Sequence, residues 1–329
     1  MNTVHGSVNN YKQLLVMYTK PSTTTSYSVL VTGGTGMLGK AIQRLTKSQV
    51  EIPNIVYHFI GSMYNLCDKR TCEELFYRLK PTHVIHLAAH VGGMFENRAN
   101  NVDFFLKNIE MNNNVLTHSQ QANIQRVVSC LSTCVFPDGL SNLNETNLHQ
   151  GPPHQSNAGY AYAKRMLHVL GQLLNEQHGK TTFTCVTPCN LYGPYDKSTH
   201  VIPDLIKRFI NAKQQQHSQV TIKGTGSAKR QFLHVDDLAK VILDQLWRPD
   251  PIEHVVVASR DELTIKQIVS FLSDHYHINY EFEGTTKDDG QLNKYANTSV
   301  LQQLYPDFKI QDFWTGLAQI CQHMEKEAS

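Results

Sequence analysis

The stretch Val29–Ile42 constrains the fold more than any other part of the chain. An apolar run meets three glycines and then an amphipathic pattern, which predicts a buried strand that turns sharply into a helix. Gly33, Gly36 and Gly39 have G-x-x-G-x-x-G spacing, which suits a tight turn, the close approach of a pyrophosphate and close helix–strand packing. The helix N-terminus adds N–H groups that favour phosphate. The stretch therefore predicts a dinucleotide site.

Strands and helices alternate through the first half of the chain. Strand patterns near 56–60, 82–89 and 127–131 alternate with helical patterns over 71–79 and 101–122. This alternation predicts an α/β fold with a doubly wound parallel sheet of the Rossmann type. In such a fold, ligands bind beyond the carboxyl ends of the strands.

The domain boundaries follow from the same pattern and from a change in character after 190. We expect a smaller C-terminal substrate domain beside the dinucleotide-binding domain. The predicted ranges are 1–27 for a flexible N-terminal extension, 28–190 with 232–258 for the dinucleotide-binding domain, and 191–231 with 259–329 for the substrate domain.

The predicted cofactor site combines the glycine turn with the small residues that follow the third strand. The second strand ends in Gly61–Asn65, which contains no acid for a ribose hydroxyl and therefore favours NADP(H) over NAD. Met63, however, stands where a basic residue would bind the 2′-phosphate. The predicted cofactor-binding residues are Gly33, Gly34, Thr35, Gly36, Met37, Leu38, Gly39, Leu87, Ala88, Ala89, Tyr160 and Lys164.

Composition and charge exclude several classes of partner. The 30 basic and 28 acidic residues are scattered and give a net charge of +2, without the basic block typical of nucleic-acid binding. The apolar runs are too short to span a bilayer. The seven cysteines lack metal-ligand spacing and indicate reduced thiols. We expect a cytoplasmic protein with no nucleic-acid partner, no membrane partner and no metal.

The residues that carry the chemistry lie between the two halves. Tyr160 and Lys164 are four apart in a predicted helix and share one face, where an ammonium lowers the pKa of a nearby phenol. For these two alone, a surface Tyr–Lys pair is the alternative, and Tyr162 is a competing tyrosine that is not four residues from Lys164. Ser132 follows a strand about 28 residues earlier. The three residues resemble the serine, tyrosine and lysine set of the short-chain dehydrogenase/reductase family.

The resemblance narrows when longer segments are compared. From about Ser28 to the C-terminal helix, the chain resembles the GDP-L-fucose synthase family of extended short-chain dehydrogenase/reductases. The segments that carry this resemblance are Ser129–Asp138, Gly151–His154, Tyr160–Met166, Pro188–Pro194, His200–Pro203, Arg230–Leu238 and Thr286–Gly290.

The resemblance implies a function and a role for each catalytic residue. The family epimerises C3 and C5 of GDP-4-keto-6-deoxy-D-mannose and then reduces the C4 ketone with NADPH. Cys134 is implied as the base and His200 as the acid of epimerisation. Tyr160 is implied as the proton donor in reduction, Ser132 as the residue that holds the oxygen, and Lys164 as the residue that tunes Tyr160. Read without the resemblance, a lone cysteine is more often buried core, and one histidine among 17 is more often structural.

The resemblance also implies substrate contacts and a partner. Charged side chains near the GDP-sugar suit its diphosphate, although a solvated surface charge is the simpler interpretation for Arg208. The implied contacts are Asn190, Arg208, Arg230 and Lys287. By fold-level analogy, we expect the helices over 101–122 and 160–178 to pair in a homodimer. Two alternatives stay open: another nucleotide-sugar epimerase or reductase, and a non-catalytic NADP-binding protein.

Overall fold

A computed structural model describes residues 26–48, 54–196, 200–286, 289 and 294–328. The strands are, in chain order, β1 (Tyr27–Thr32), β2 (Ile55–Phe59), β3 (His83–His86), β4 (Arg126–Cys130), β5 (Asn142–Leu143), β6 (Thr182–Pro188), β7 (Asn190–Tyr192), β8 (Gln219–Lys223), β9 (Lys229–Arg230), β10 (Phe232–His234), β11 (His254–Val257), β12 (Leu263–Thr264), β13 (Asn279–Glu283) and β14 (Tyr295–Ala296).

Helices connect these strands. Two single turns of 3₁₀-helix are also present: Thr133–Val135 follows β4, and Gln155–Asn157 precedes the helix Ala158–His178. The α-helices are α1 (Met37–Ser48), α2 (Lys69–Leu79), α3 (Met94–Ala99), α4 (Asn101–Gln121), α5 (Ala158–His178), α6 (Val201–Gln214), α7 (Val235–Trp247), α8 (Ile265–Tyr276), α9 (Ser299–Leu304) and α10 (Phe313–Ala328).

The central sheet confirms the predicted fold class. Its six strands are parallel and lie in the order β11–β6–β4–β3–β1–β2. Strand order reverses between β1 and β3, so a crevice opens beyond their carboxyl ends, which is where ligands bind in doubly wound folds. Helices α4 and α5 pack together, as do α1 and α7, and both pairs contribute to one large apolar core around the sheet.

A second apolar core forms from the later elements. It is built by α6, α8 and α10 with strands β8 and β13, and its fully buried side chains include Phe209, Leu272 and Leu317. This core corresponds to the expected substrate domain, whose boundaries stay a prediction. The predicted range of the N-terminal extension, 1–27, needs one correction at its end. Strand β1 begins at Tyr27, which pairs with Ile55, so Tyr27 belongs to the sheet. Residues 1–25 of that extension lie outside the described residues.

A buried polar network connects the glycine turn to the catalytic helix. The hydroxyl of Thr32 and Nδ1 of His86 are 2.8 Å apart, and Nε2 of His86 lies 3.0 Å from Oδ1 of Asn112. Nδ2 of Asn112 donates to the carbonyl of Ala163 at 3.3 Å, which leaves its Oδ1 as an acceptor for the imidazole N–H. Burial lowers the pKa of His86 to about 3, so the ring is neutral. The network fixes α4 and α5 against the ends of β1 and β3.

Three further observations concern membrane spans, disulfides and metal sites. Among the described helices, none combines the length and the apolarity that a membrane span needs. All seven cysteines are unpaired thiols. The described residues contain no cluster of three or more potential metal-ligating side chains.

We predict that Gly39→Ala destabilises the fold. A Cβ at Gly39 would lie 2.5 Å from the backbone of Gly34, which cannot move aside. Although alanine favours a helix, the overpacking outweighs this gain, and we expect the free energy of unfolding to fall by about 2 kcal/mol in urea titrations. Gly171→Ala in α5 is the control, since its Cβ would meet only Cβ of Phe183 at 3.3 Å. Equal stability of the two variants would contradict the prediction.

Candidate active site

One cavity of about 850 Å³ brings the predicted catalytic residues together. It opens beyond the carboxyl ends of the central strands and extends between the two apolar cores. The predicted catalytic residues that line it are Ser132, Cys134, Tyr160, Lys164 and His200. Five residues spread over 69 positions of the sequence therefore share one chamber with the glycine turn.

The glycine turn forms a cradle that fits a dinucleotide. Gly33 has φ of +68°, and a Cβ there would lie 2.8 Å from the backbone nitrogen of Ala88. Gly36 lines the cavity, and a Cβ there would meet only the carbonyl oxygen of Gly33, at 3.3 Å, so the lack of a side chain leaves space for a pyrophosphate. Most of the predicted cofactor set lines the cavity, namely Gly33, Thr35, Gly36, Met37, Leu38, Gly39, Leu87 and Ala89, together with Tyr160 and Lys164.

Two residues of the predicted cofactor set lie beneath the turn. A Cβ at Gly34 would lie 2.7 Å from Cβ of Phe59, so this glycine allows the turn to pack against β2. The backbone N–H of Ala88 donates to the hydroxyl of Thr32 at 3.2 Å. Gly34 and Ala88 therefore contribute to the packing that shapes the cradle.

The end of β2 bears on the choice between NAD and NADP. A Cβ at Gly61 would lie 2.6 Å from the hydroxyl oxygen of Thr35, which places the start of this segment beside the glycine turn. The segment carries no carboxylate until Asp68, whose side chain caps α2 instead. Met63 is 86% exposed. A 2′-phosphate therefore meets no acidic side chain along Ile60–Cys67.

Ser132 and Cys134 share a single helical turn beyond β4. Ser132 has extended backbone and is the N-cap of the turn, so its hydroxyl oxygen accepts from the backbone N–H of Cys134 at 3.4 Å. Because only the oxygen of the hydroxyl is used here, its own proton can be donated to an oxygen in the cavity. The turn thus places a hydroxyl donor and a thiol side by side.

Tyr160 and Lys164 occupy the first two turns of α5. The ammonium of Lys164 donates to the carbonyl of Cys130 at 2.8 Å and lies 6.0 Å from the centre of the Tyr160 ring. Burial raises the pKa of the Tyr160 phenol well above its usual value and lowers the pKa of Lys164. The predicted lowering of the phenol pKa is therefore not seen. Burial raises this pKa, and the Lys164 ammonium is hydrogen-bonded to the end of β4 instead of to the phenol. Tyr160 therefore carries its phenolic proton at neutral pH.

Lys294 is a functional candidate that sequence reasoning missed. It lies in a small cleft with Thr133, Asn190 and Arg230, next to the cavity. Burial raises the pKa of the Cys134 thiol, and the Lys294 ammonium is the strongest influence that opposes this rise. Burial in turn lowers the pKa of Lys294, and Cys134 partly restores it. An ammonium in this cleft, near the buried thiol, favours the thiolate, the form that removes protons.

His200 lies at the edge of the second apolar core, where α6 begins. It is the N-cap of α6, and its side chain is 53% exposed. Nδ1 of His200 lies 3.8 Å from a carboxylate oxygen of Asp196, whose side chain is only 8% exposed. His200 and Asp196 both line the cavity, and the carboxylate lies next to the imidazole.

The four predicted substrate-binding residues differ in their surroundings. Asn190, Arg208 and Arg230 line the cavity. Arg208 forms a 2.8 Å ion pair with Asp204 on the exposed face of α6, whereas Nη2 of Arg230 donates to the carbonyl of Asp289 at 3.4 Å. Lys287 lies outside the described residues. Both arginines therefore line the cavity, and their contact with a substrate stays a prediction.

The fold and the cavity define a dinucleotide-binding oxidoreductase of the short-chain dehydrogenase/reductase type. The chain belongs to the NAD dependent epimerase/dehydratase family, whose profile matches residues 29–258.

Within this family, the chain is similar to GDP-L-fucose synthases. The GDP-L-fucose synthase of Dictyostelium discoideum is 40% identical over 314 residues, which cover 91% of this chain and 96% of that protein. The GDP-L-colitose synthase of Yersinia pseudotuberculosis is 30% identical over 311 residues, 91% of this chain and 98% of that protein. A crystal structure of a GDP-L-fucose synthetase from Naegleria fowleri bound to NADP superposes with a TM-score of 0.85 at 36% identity, over 93% of this chain and 94% of that chain.

We predict that Lys294→Met makes the Cys134 thiol less reactive. Without the buried ammonium, the pKa of the thiol rises further, so its alkylation by iodoacetamide slows across about pH 7–9. Mass spectrometry of the Cys134 peptide measures the rate. Lys229→Met, which removes an exposed lysine from β9, should leave the rate unchanged. An unchanged rate in Lys294→Met would show that the ammonium does not act on the thiol.

Proposed function

We propose that this chain is a GDP-L-fucose synthase. It epimerises C3 and C5 of GDP-4-keto-6-deoxy-D-mannose and then reduces C4 to give GDP-L-fucose. The observation that carries this proposal is that an acid–base pair, Cys134 and His200, lines the same cavity as the reductase set and the glycine cradle. The 40% identical relative and the structure bound to NADP support the same substrate and NADP(H) as the cofactor.

Epimerisation needs a base and an acid on opposite faces of the sugar ring. The 4-keto group acidifies the C–H bonds at C3 and C5, because the carbanion that forms is stabilised as an enolate. Cys134, as thiolate, removes the proton, and His200 returns one to the other face. Lys294 favours the thiolate, and the Ser132 hydroxyl donates a hydrogen bond to the enolate oxygen.

Reduction uses the second set of residues. The glycine cradle would hold NADPH, which would supply the hydride that reduces C4. Tyr160 donates its phenolic proton to the C4 oxygen, which the Ser132 hydroxyl holds in place. Lys164 holds the nicotinamide ribose, and its positive charge favours proton release from the phenol once its ammonium turns towards it. Because Cys134, Tyr160 and Lys164 line one cavity, one bound sugar serves both reactions.

Basic residues bind the nucleotide end of the substrate. Arg230, half-buried and next to Lys294, offers its fork of donors to the diphosphate. Arg208 contributes from the exposed side of α6, and Asn190 lies at the sugar pocket. Lys287, as the resemblance implies, would add a further charge.

A different nucleotide sugar is the main rival. The 30% identical GDP-L-colitose synthase shows that the family includes other products, but the GDP-L-fucose synthase of Dictyostelium discoideum is more similar to this chain. A non-catalytic NADP-binding protein would not need the thiol and imidazole in the cavity.

The test of the proposed function follows NADPH absorbance with GDP-4-keto-6-deoxy-D-mannose as substrate and identifies the sugar product. Oxidation with GDP-L-fucose formed supports substrate, cofactor and reaction class together. Oxidation that gives only GDP-rhamnose would contradict epimerisation. A lack of oxidation with either NADPH or NADH would contradict the proposed substrate.

A homodimer and a cytoplasmic location belong to the same proposal. Large apolar side chains are exposed along α4 and α5, which pack side by side, and two copies of this surface would bury one another. These side chains are Val102, Leu106, Tyr162, Met166 and Leu173. The reduced thiol that epimerisation requires at Cys134 favours the cytoplasm, where thiols are kept reduced.

We predict that Cys134→Ser stops solvent deuterium from entering C3 and C5, because a serine hydroxyl is too weak a base. NMR of the sugar recovered from D2O measures the exchange, which should fall by roughly 100-fold or more. Cys185→Ser, which replaces a buried thiol in the sheet outside the cavity, is the control and should exchange normally. Unaltered exchange in Cys134→Ser would remove this residue from the base role.

We predict that Tyr160→Phe separates the two reactions. Loss of the phenolic proton should lower the rate of NADPH oxidation by roughly 100- to 10,000-fold, while deuterium exchange at C3 and C5 continues. Absorbance and NMR follow the two in parallel. Equal loss of both activities would mean that Tyr160 takes part in epimerisation as well.

We predict that replacing apolar surface residues of α4 and α5 separates the dimer. In Leu106→Glu combined with Met166→Glu, the introduced charges prevent burial, so sedimentation should shift from two chains to one. Tyr77→Glu on α2, also highly exposed, is the control and should leave the dimer intact. Sedimentation of the native protein as one chain would contradict the proposed interface.

A further inference from the structure

Asn97 presents a buried oxygen that the protein itself does not use. Its side chain lies on α3, is 5% exposed and lines the cavity. Nδ2 donates to the carbonyls of Gly92 and Gly93 at 2.6 and 3.0 Å. Because a carbonyl accepts only, these two bonds fix the orientation of the amide. Oδ1 is buried and accepts no hydrogen bond within the described part of the chain.

Asn157 presents a second such oxygen. It is the N-cap of α5, a position where asparagine ordinarily accepts from the first turn, yet its side chain makes no capping bond. The N–H of Gly159 donates instead to Oδ1 of Asn101 at 2.9 Å. Oδ1 of Asn157 is buried without a partner among the described residues, and Asn157 lines the same cavity.

The two asparagines lie on elements that touch. Helix α3 packs against the turn Gln155–Asn157, so both amides belong to one wall of the cavity. Asn157, Tyr160 and Lys164 are spaced three and four residues apart at the start of α5, so they lie on one face of the helix. Tyr160 lies in the middle of this row. If Lys164 holds the ribose of the cofactor, Asn157 lies on the other side of the phenol, where the sugar must be.

The chemistry of the oxygens selects the group that they bind. A buried carbonyl oxygen needs a donor, and leaving it unpaired is unfavourable. A diphosphate supplies only acceptors, whereas a hexose carries hydroxyl donors next to the reacting C4. We propose that Asn97 and Asn157 accept hydrogen bonds from the C2 or C3 hydroxyl of the hexose and thereby set its orientation over Tyr160. This inference rests on the proposed function.

Asn157→Ala is the discriminating variant. Since this side chain does not cap α5, its removal should leave stability unchanged while the KM for GDP-4-keto-6-deoxy-D-mannose rises roughly 3- to 10-fold, the value of one neutral hydrogen bond. The KM for NADPH should stay constant. Gln155→Ala, at an exposed position of the same turn, is the control and should change neither constant. Asn97→Ala should show the same split, provided that the loop after β3 remains folded.

Substrate analogues test the hydroxyl itself. Native enzyme should discriminate against the 2-deoxy or the 3-deoxy analogue, and Asn157→Ala should discriminate less against that same analogue. A rise in the KM for NADPH alone would assign the oxygens to the nicotinamide amide and overturn the proposal, as would unchanged discrimination. If native enzyme converts the parent substrate but Asn157→Ala behaves like native, only this inference fails. If native enzyme does not convert it, both proposals fail.

Discussion

The contact between backbone atoms at the glycine turn is the constraint on which the rest of the structure depends. Gly39 lies against Gly34, and Gly33 lies against the end of β3, at distances that no side chain permits. This contact lets α1 start directly after β1, at the switch point of the sheet between β1 and β3. The cofactor cradle is therefore a consequence of close packing. The proposed catalytic residues lie on or next to neighbouring strands and helices of the same fold, around this cradle.

Much of this arrangement could be predicted from the sequence because the signals are local. The strand–turn–helix at Val29–Ile42 and the helices predicted over 71–79 and 101–122 have the predicted character, since apolar periodicity and glycines act within a few residues. The grouping of Cys134 and His200 with the reductase set required resemblance to a family, since nothing in their own neighbourhood distinguishes a reactive thiol from a core cysteine. The structure brings them into one cavity, and their roles remain a prediction.

What sequence reasoning missed depends on contacts between distant residues. Lys294 lies about 160 residues from Cys134 in the sequence. The parallel pairing of β14 with β5 brings the two parts of the chain together. Asn157 looks like a helix cap, but Asn101 from α4 takes that bond. The phenol of Tyr160 was expected to be acidic because of Lys164, but burial, which a sequence does not report, dominates its pKa. In each case, tertiary packing overrides the local pattern.

The central claim is that one cavity carries out both epimerisation and reduction on the same sugar. The most direct measurement is NMR of the product formed in D2O with unlabelled NADPH under single-turnover conditions. The account predicts GDP-L-fucose with solvent deuterium at C3 and C5 and hydrogen from the cofactor at C4 in the same molecules. A reduced product without deuterium at C3 and C5 would show that the acid–base pair in the cavity does not act on the sugar.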